Sequence, residues 1–241
     1  MLARVITVQP HQWKPGVHSK FVRRWKHVQE VLLPSLRKIG LDAEPIEAVL
    51  SCDLPPMAEG KMSYDGITLT IGEGCTGNTL SNYLIWKLAV ERNEPVLVLE
   101  DDAILPETSS QAVADAIKSF CVSSRSFSDI LYLLSQCPYL KDTFKSYHPS
   151  SCTPIDRHIT RLLKTEDLAC TAAYVVTPMA ARELIHRLDK SPTVPVDGFV
   201  HRAFRAGVLG VIVQNDPKKG FWLNDNWAEW NHKNSPELFP K

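Results

Sequence analysis

Short, mainly apolar runs recur along the chain, and they predict strands that are buried inside a sheet. Most runs are rich in valine, isoleucine or leucine, and polar or turn-forming residues stand on either side. A continuous apolar run is typical of a strand covered on both faces, as in a largely parallel sheet. The predicted strands lie at residues 4–8, 43–49, 96–99, 130–134, 171–176 and 208–213.

Between these runs, apolar residues recur at the spacing of a helix. The clearest series places its members on one helical face and comprises Phe21, Trp25, Val28 and Leu32. Pro34 follows this series and predicts a kink or an end of the helix. Further helices are predicted at residues 80–91, 112–120, 178–188 and 199–206.

Strands and helices alternate along almost the whole chain, which predicts an α/β fold with a mostly parallel central sheet flanked by helices. We expect a single domain over residues 1–214. Residues 215–241 are polar and carry tryptophans, and we expect this C-terminal tail to pack on the same domain. Residues 51–66 contain two adjacent prolines and a glycine and are predicted to form a loop.

The chain carries 27 basic and 27 acidic side chains, so its formal net charge is zero. This balance gives no reason to expect nucleic acid or an anionic membrane as a partner, and either would need a local basic patch. No apolar run reaches the roughly 18–20 residues that a membrane span needs, and the N-terminal residues do not resemble a signal peptide. The six cysteines show no CxxC spacing and are expected to be reduced, so we expect a cytoplasmic protein.

The strand predicted at residues 96–99 runs directly into three acids, Glu100, Asp101 and Asp102. In open α/β sheets, ligands bind beyond the carboxyl ends of the strands, so a ligand site is expected at these acids. In an extended backbone Glu100 and Asp102 project to one side and Asp101 to the other. Carboxylates in this arrangement suit Mg²⁺ or Mn²⁺, and we therefore predict that Glu100 and Asp102 bind such a metal.

Two other interpretations of these acids stay open. Asp101 or Asp102 could cap a turn while the remaining acids are solvated. A phospho-acceptor receiver domain or a metal phosphatase also places acids after a strand. A receiver has its acidic pair close to the first strand, however, whereas this cluster begins at residue 100.

Several motifs stand in a fixed order within residues 70–215. They are GEGC at 72–75, LSNYLIWK at 80–87, LVLEDD at 97–102, DILYL at 129–133, TAAYVV at 171–176, AAREL at 180–184 and PVD at 195–197. Their order and spacing resemble glycosyltransferase family 25, the group of lipooligosaccharide and procollagen galactosyltransferases. The resemblance implies a GT-A type, Rossmann-like fold, a nucleotide-sugar donor such as a UDP-sugar, and a divalent metal ion.

The chain departs from the family pattern at three places. The segment TGNTL lengthens the first motif, the Ser-His pair of the family becomes Ser81-Asn82, and Gln9-Pro10 follows the first predicted strand. Ser81 and Asn82 are candidate donor-binding residues because they occupy motif positions, but the role of the missing histidine does not carry over.

A basic segment near the N-terminus supplies two further donor-binding candidates, Arg23 and Arg24. Guanidinium groups pair bidentately with phosphate, so either arginine suits a diphosphate. The alternative is a solvated helix face, with Trp25 packed in the core.

Candidate catalytic groups lie in the last motif and in the acid cluster. Asp197 and His201 stand four residues apart and share one face of a helix. Asp197 is the first candidate for the general base that takes the proton of the acceptor hydroxyl, and Asp101 is the second. For Asp197 the alternative is the N-cap of the helix predicted at 199–206. For His201 a structural role is favoured over one near the metal or a phosphate.

The tail contains the aromatic and amide-rich segment WLNDNWAEWNH at residues 222–232. Such side chains suit sugar binding, and His232 is a candidate to complete the metal shell. The alternative is that the rings pack the tail onto the domain. Covalent catalysis by Cys75 or Ser81 is disfavoured, because no histidine follows Ser81 nearby and no nucleophile-elbow pattern is present.

These predictions converge on a metal-dependent glycosyltransferase that moves a sugar from a nucleotide-sugar to a hydroxyl acceptor with inversion. A glycan, a protein or a modified base could supply the hydroxyl, and zero net charge disfavours nucleic acid without excluding it. The alternative is a non-catalytic relative that binds a nucleotide-sugar or a glycan.

Overall fold

Strands and helices alternate in the computed structural model much as the apolar pattern predicts. The structure describes residues 1–13, 19–50, 54, 61–65, 67–70, 76–123, 127–136, 152–163, 171–188, 195–216 and 219–223. The elements of the first half are β1 (Leu2–Thr7), α1 (Ser19–His27), α2 (Leu33–Lys38), β2 (Asp42–Glu47), β3 (Lys61–Tyr64), β4 (Ile67–Thr70), α3 (Thr76–Arg92), β5 (Val96–Glu100) and β6 (Ala103–Ile104). Those of the second half are α4 (Glu107–Ser123), β7 (Asp129–Tyr132), β8 (Leu134–Gln136), β9 (Cys152–Pro154), β10 (Ile159–Leu162), β11 (Ala173–Val176), α5 (Pro178–Leu188), α6 (Val196–Arg205), β12 (Gly210–Gln214) and β13 (Phe221–Leu223).

The helix predicted from the Phe21–Leu32 spacing is interrupted before Pro34, as expected. A π-helical stretch, Val28–Leu32, joins α1 to α2, and Pro34 lies in the first turn of α2. Proline has no backbone N–H to donate to the preceding turn, so the regular hydrogen-bond pattern is broken here. Gly40 then adopts a left-handed φ of 81°, which ends α2 at a residue that tolerates this conformation.

The central sheet has eight strands in the order β2-β1-β5-β11-β7-β12-β10-β9. The pairs β1–β2, β1–β5 and β7–β12 are parallel, whereas β11 and β10 run antiparallel to both of their neighbours. Six of the eight strands therefore run in the same direction, and this mixed sheet flanked by helices confirms the predicted α/β class. A buried apolar run does not reveal strand direction, which is why the sequence did not single out β11 as antiparallel.

Strand β5 lies in the interior of the sheet between β1 and β11. Its residues Val96, Leu97, Val98 and Leu99 are buried, as the continuous apolar run predicts. Helix α3 packs against α5, α6 and β5, and its Trp86 ring stacks on Phe199 of α6 with centroids 6.0 Å apart. The carboxyl end of β5 is therefore held by strands on two sides and by α3.

The prediction of a loop throughout residues 51–66 is wrong for its last part. β3 pairs antiparallel with β4 in a separate hairpin, and Asp65 has a left-handed φ of 48°. The dipeptide Asp65-Gly66 between the strands is typical of a two-residue hairpin turn, so a readable signal was present.

A second, three-stranded sheet borders the acid motif. β13 pairs antiparallel with β6 and parallel with β8, and Phe221 is fully buried. The described part of the tail thus includes a strand that the sequence did not predict. The division into residues 1–214 and 215–241 stays a prediction. In the ranges that the structure describes, no helix is both long and apolar enough to cross a membrane.

Candidate active site

The three acids lie at the carboxyl end of β5, where the chain turns sharply. Glu100 is the last residue of the strand, and its backbone N–H donates to the carbonyl of Ala172 at 3.0 Å. Asp101 and Asp102 form a turn that leads directly into β6. Because the backbone is not extended here, the predicted alternation of Glu100 and Asp102 against Asp101 does not apply.

Arg24 of α1 compensates most of the repulsion between the acids. Its Nη1 donates to Asp101 Oδ1 at 2.6 Å and its Nη2 donates to Asp102 Oδ2 at 3.0 Å. Burial alone would lower the pKa of Arg24, but the charges of Asp101, Asp102 and then Glu100 outweigh this and raise it. The guanidinium thus stays charged and holds the turn through its ion pairs with Asp101 and Asp102. Within the described ranges, no ion pair joins Arg24 to the third acid, Glu100.

Asp101 is the most buried of the three acids, with 6% of its surface exposed. Its Oδ1 accepts from Arg24, and its Oδ2 accepts from the Thr7 hydroxyl at 3.1 Å. Burial raises the pKa of Asp101, and Arg24 opposes this rise. Both oxygens already accept hydrogen bonds, so the geometry suits a residue that fixes the turn better than one that receives a proton from an acceptor.

Asp102 and Glu100 are the acids with unfilled bonding capacity. Asp102 Oδ1 is buried and accepts no hydrogen bond from any residue within the described ranges. Burial, and after it the charge of Asp102, raises the pKa of Glu100 to about 7, although a hydrogen bond from Asn78 Nδ2 at 3.1 Å opposes this. A buried oxygen without a donor beside a carboxyl that resists ionisation is an arrangement that a cation would stabilise.

This donor set fits a hard divalent cation. Magnesium and manganese ions use one or two protein carboxylates and take their remaining ligands from water and substrate phosphates. Among the described residues, no group of three or more His, Cys, Asp or Glu side chains could hold a metal. Two carboxylates at the end of β5 are therefore a sufficient protein contribution only if the substrate supplies further oxygen ligands.

Ser81 and Asn82 are buried in α3 and bonded within the protein. The Ser81 hydroxyl donates to the carbonyl of Gly77 at 2.7 Å and accepts from the backbone N–H of Val49 at 2.8 Å. Asn82 Oδ1 accepts from the Tyr174 hydroxyl at 2.7 Å. With 1% and 2% of their surfaces exposed, both side chains lie in the protein interior, and Asn82 contacts the site through Asn78. Their role in donor binding stays a prediction and is indirect in this geometry.

The other predicted residues lie on α1 and α6. Arg23 is exposed on α1, one residue before the half-buried Arg24. α6 begins at Val196 with Pro195 as its N-cap, so the interpretation of Asp197 as the cap of a helix over 199–206 is wrong. Asp197 lies in the first turn, where its Oδ1 accepts from the backbone N–H of Gly198 at 2.7 Å, and His201 follows one turn later.

Two predicted residues, His232 and Cys75, lie outside the described residues. The strand that precedes residues 224–232 does border the site, because Leu223 pairs with Ala103, the neighbour of Asp102. His232 as a metal ligand stays a prediction.

Three functional candidates escaped the sequence reasoning: Thr7, Asn78 and Tyr174. Each bonds to a residue of the site from a different element, so the relevant proximity is tertiary. Asn78 had one usable signal, since it stands four residues before Asn82 on the same helix and its side chain accepts from Asn82 Nδ2 at 2.8 Å.

Comparisons with known proteins bear on this site. The model of glycosyltransferase family 25, described as LPS biosynthesis protein, matches residues 56–200, well over half of the chain and a range that includes Asn78, the acids and Asp197. No curated protein matches the chain.

Two solved structures show a weak likeness in fold. The inositol-1-phosphate CTP transferase from T. maritima is 13% identical with a TM-score of 0.39, covering 98% of this chain and 93% of that one. A putative glucose-1-phosphate thymidylyltransferase from Bacillus anthracis, in complex with a sucrose, is 10% identical with a TM-score of 0.36, covering 88% and 86%. Likeness at this level carries no argument about the activity.

Proposed function

Since this chain belongs to glycosyltransferase family 25 and is a glycosyltransferase, we propose that it uses a divalent cation held by Glu100 and Asp102. The proposed reaction transfers a sugar from a nucleotide-sugar, a UDP-sugar by preference, to a hydroxyl acceptor with inversion. The observation that carries the proposal is Asp102 Oδ1, which is buried and accepts no hydrogen bond from the described residues.

The residues around the acids hold some carboxylate oxygens by hydrogen bonds and leave others for a cation. Arg24 and Thr7 hold Asp101, and Arg24 also holds one oxygen of Asp102. These bonds leave Asp102 Oδ1 and the Glu100 carboxylate for Mn²⁺ or Mg²⁺. When bound, the cation would stabilise the negative charge that develops on the departing nucleotide diphosphate.

Donor binding by Arg23 and Arg24 is part of the same proposal, and the two side chains have different roles. Arg24 already forms ion pairs with two carboxylates. It would therefore attract a diphosphate through its positive charge more than through a direct hydrogen bond. Arg23 is exposed on the same helix and is the better candidate for a direct phosphate contact. His232 is proposed as a further metal ligand from the C-terminal segment.

Inversion in a single displacement requires a base on the acceptor side of the sugar. We assign this role to Asp197 in preference to Asp101, because both Asp101 oxygens already accept hydrogen bonds from other residues. The acceptor is a hydroxyl of a glycan, a protein or a modified base. A cytoplasmic location remains a prediction.

The test is a panel of nucleotide-sugars assayed for donor hydrolysis and transfer, with Mn²⁺ and with EDTA. We expect one donor to be turned over only with the metal, and Asp102→Asn to abolish turnover. Asp115→Asn, which changes an acid of α4 bonded to Gln111, is the matched control and should retain full activity. Metal-dependent donor binding without turnover would favour the non-catalytic relative. Full activity of Asp102→Asn, or equal activity in EDTA, would overturn the metal assignment.

A further inference from the structure

A continuous chain of hydrogen bonds runs from the core of the protein to Glu100. Trp86 Nε1 donates to the Tyr174 hydroxyl at 2.8 Å, and that hydroxyl donates to Asn82 Oδ1 at 2.7 Å. Asn82 Nδ2 donates to Asn78 Oδ1 at 2.8 Å, and Asn78 Nδ2 donates to Glu100 Oε1 at 3.1 Å. Three of the five members, Trp86, Tyr174 and Asn82, are almost fully buried.

The chemistry of Trp86 gives this chain a single direction. An indole N–H can only donate, so the Tyr174 oxygen must accept from it and use its own proton toward Asn82. Asn82 then presents its oxygen to Tyr174 and its NH₂ to Asn78. Each amide orientation is thus determined by the preceding donor. Burial raises the pKa of Tyr174 far above its ordinary value, so the hydroxyl keeps the proton that it donates.

The direction matters at the last step. Asn78 turns its NH₂ to Glu100 because its Oδ1 is occupied by Asn82. In the opposite orientation, the amide oxygen would face a carboxylate oxygen and repel it. The asparagine at position 82 suits this place, since its side chain accepts from Tyr174 through its oxygen and donates to Asn78 through its NH₂.

We propose that Trp86, Tyr174, Asn82 and Asn78 form a positioning relay that fixes Glu100 Oε1 and leaves Oε2 as the oxygen offered to the divalent cation. This inference rests on the proposed metal site at Glu100 and Asp102. Trp86 and Tyr174 act only through the asparagines and are positioning residues. Partners that orient a metal-binding side chain commonly change metal affinity by about 10–100-fold when they are removed.

The test is a double-mutant cycle on Mn²⁺ affinity, measured in the presence of UDP by electron paramagnetic resonance of the free ion. Tyr174→Phe should weaken Mn²⁺ binding about tenfold, since Asn82 and Asn78 lose the donor that sets their orientation. Asn78→Ala cuts the relay at its exposed end. In that background, Tyr174→Phe should leave the Mn²⁺ affinity unchanged within about twofold.

Tyr83→Phe is the matched control. Tyr83 is also a buried tyrosine, on α3, and its hydroxyl donates at 3.2 Å to the carbonyl of Asp65, outside the relay. It should leave Mn²⁺ affinity unchanged. The relay is overturned if Tyr174→Phe behaves like this control, or if it weakens Mn²⁺ binding equally with and without Asn78. If Tyr174→Phe does not fold, Trp86→Phe takes its place in the same cycle, because it removes the first donor.

A second measurement separates failure of the relay from failure of the proposed function. If the unaltered protein binds no Mn²⁺ with UDP, the metal assignment is wrong, and the side-chain amide NMR signals of Asn78 and Asn82 decide the relay alone. Tyr174→Phe should shift the Asn78 amide signals through the intervening asparagine, whereas Tyr83→Phe should not. Unshifted Asn78 signals in Tyr174→Phe would overturn the relay.

Discussion

Arg24 and Asp101 form an ion pair of 2.6 Å between the first helix and the turn after β5, although they stand far apart in the sequence. The pair is largely withdrawn from solvent, with 19% and 8% of the two side chains exposed. It explains how three consecutive acids are tolerated at the end of an apolar strand. It also makes the docking of α1 a condition for the geometry of the site.

Removal of the Arg24 charge should destabilise the protein strongly. Arg24→Ala leaves Asp101 buried without its cation, and breaking a buried ion pair from one side typically costs about 3–5 kcal/mol of unfolding free energy. Urea denaturation at pH 7 measures the change. Arg23→Ala is the control, because the neighbouring side chain is exposed and its removal should cost less than about 0.5 kcal/mol. Equal stability of the two variants would contradict the role given to Arg24.

Loss of the proposed base should slow the chemical step without affecting the metal. Asp197→Asn keeps the shape of the side chain but cannot take a proton from the acceptor, and we expect kcat to fall about 10²–10⁴-fold. The Mn²⁺ affinity and the KM for the donor should stay unchanged, since Asp197 is on α6 and is not one of the proposed ligands. Steady-state kinetics with saturating donor tests this. An unchanged kcat would remove Asp197 from the mechanism.

Two glycines should respond to alanine with opposite signs. At Gly210 of β12, an added Cβ would overlap Asp129 Oδ1 and Arg161 Nη1, which are joined by a bidentate ion pair at 2.8 and 2.6 Å. Asp129 is buried, so Gly210→Ala should cost at least about 2 kcal/mol. Gly198 of α6 has no neighbour within 4 Å of an added Cβ, so Gly198→Ala should stabilise by up to about 1 kcal/mol. Thermal unfolding of both variants checks the signs, and destabilisation by both would contradict the packing described.

The carboxylate of Asp156 should make stability fall in acid. Burial would raise its pKa, but hydrogen bonds from the Ser119 hydroxyl and the backbone N–H groups of His158 and Ile159 lower it on balance. A folded-state pKa below the unfolded value stabilises the protein above the unfolded pKa, and the contribution is lost as the pH falls through the folded pKa. Because the group is exposed, solvent screening keeps the effect below about 1 kcal/mol.

Asp156→Asn should therefore be less stable than the unaltered protein at pH 7, and the difference should disappear as the pH falls through the folded-state pKa of Asp156. Denaturation at a series of pH values gives the comparison. Asp115→Asn, which loses one exposed side-chain bond, should show a smaller difference at pH 7. A deficit of Asp156→Asn that persists unchanged into acid would show that the charge is not responsible.

The sequence revealed β5 and its acids because both signals are local. Four apolar residues followed by Glu100 identify a buried strand with polar groups at its carboxyl end, and the structure confirms the strand. The facing of the acids was predicted wrongly, because a turn replaces the extended backbone at Asp101. The hairpin at Asp65 was missed although Asp-Gly is a local signal.

What the sequence could not supply is contact between distant elements. Arg24 was singled out for phosphate, yet it forms ion pairs with Asp101 and Asp102, which no helix spacing connects to it. The same holds for Tyr174, whose apolar surroundings predicted a strand but not a hydroxyl that donates to Asn82. Helical and strand periods fix which face a residue occupies, whereas partners across the fold depend on how the layers dock.

The three-stranded sheet beside the acid motif has a consequence for the synthesis of the chain. β6 follows Asp102 immediately, whereas its partner β13 comes much later in the sequence. A ribosome therefore finishes the acid motif, α1 and the whole of β5 long before the strand that borders them has emerged. During translation, β6 stays without this strand partner until residues 221–223 are available, so the sheet that borders the acids is completed much later than the acids themselves.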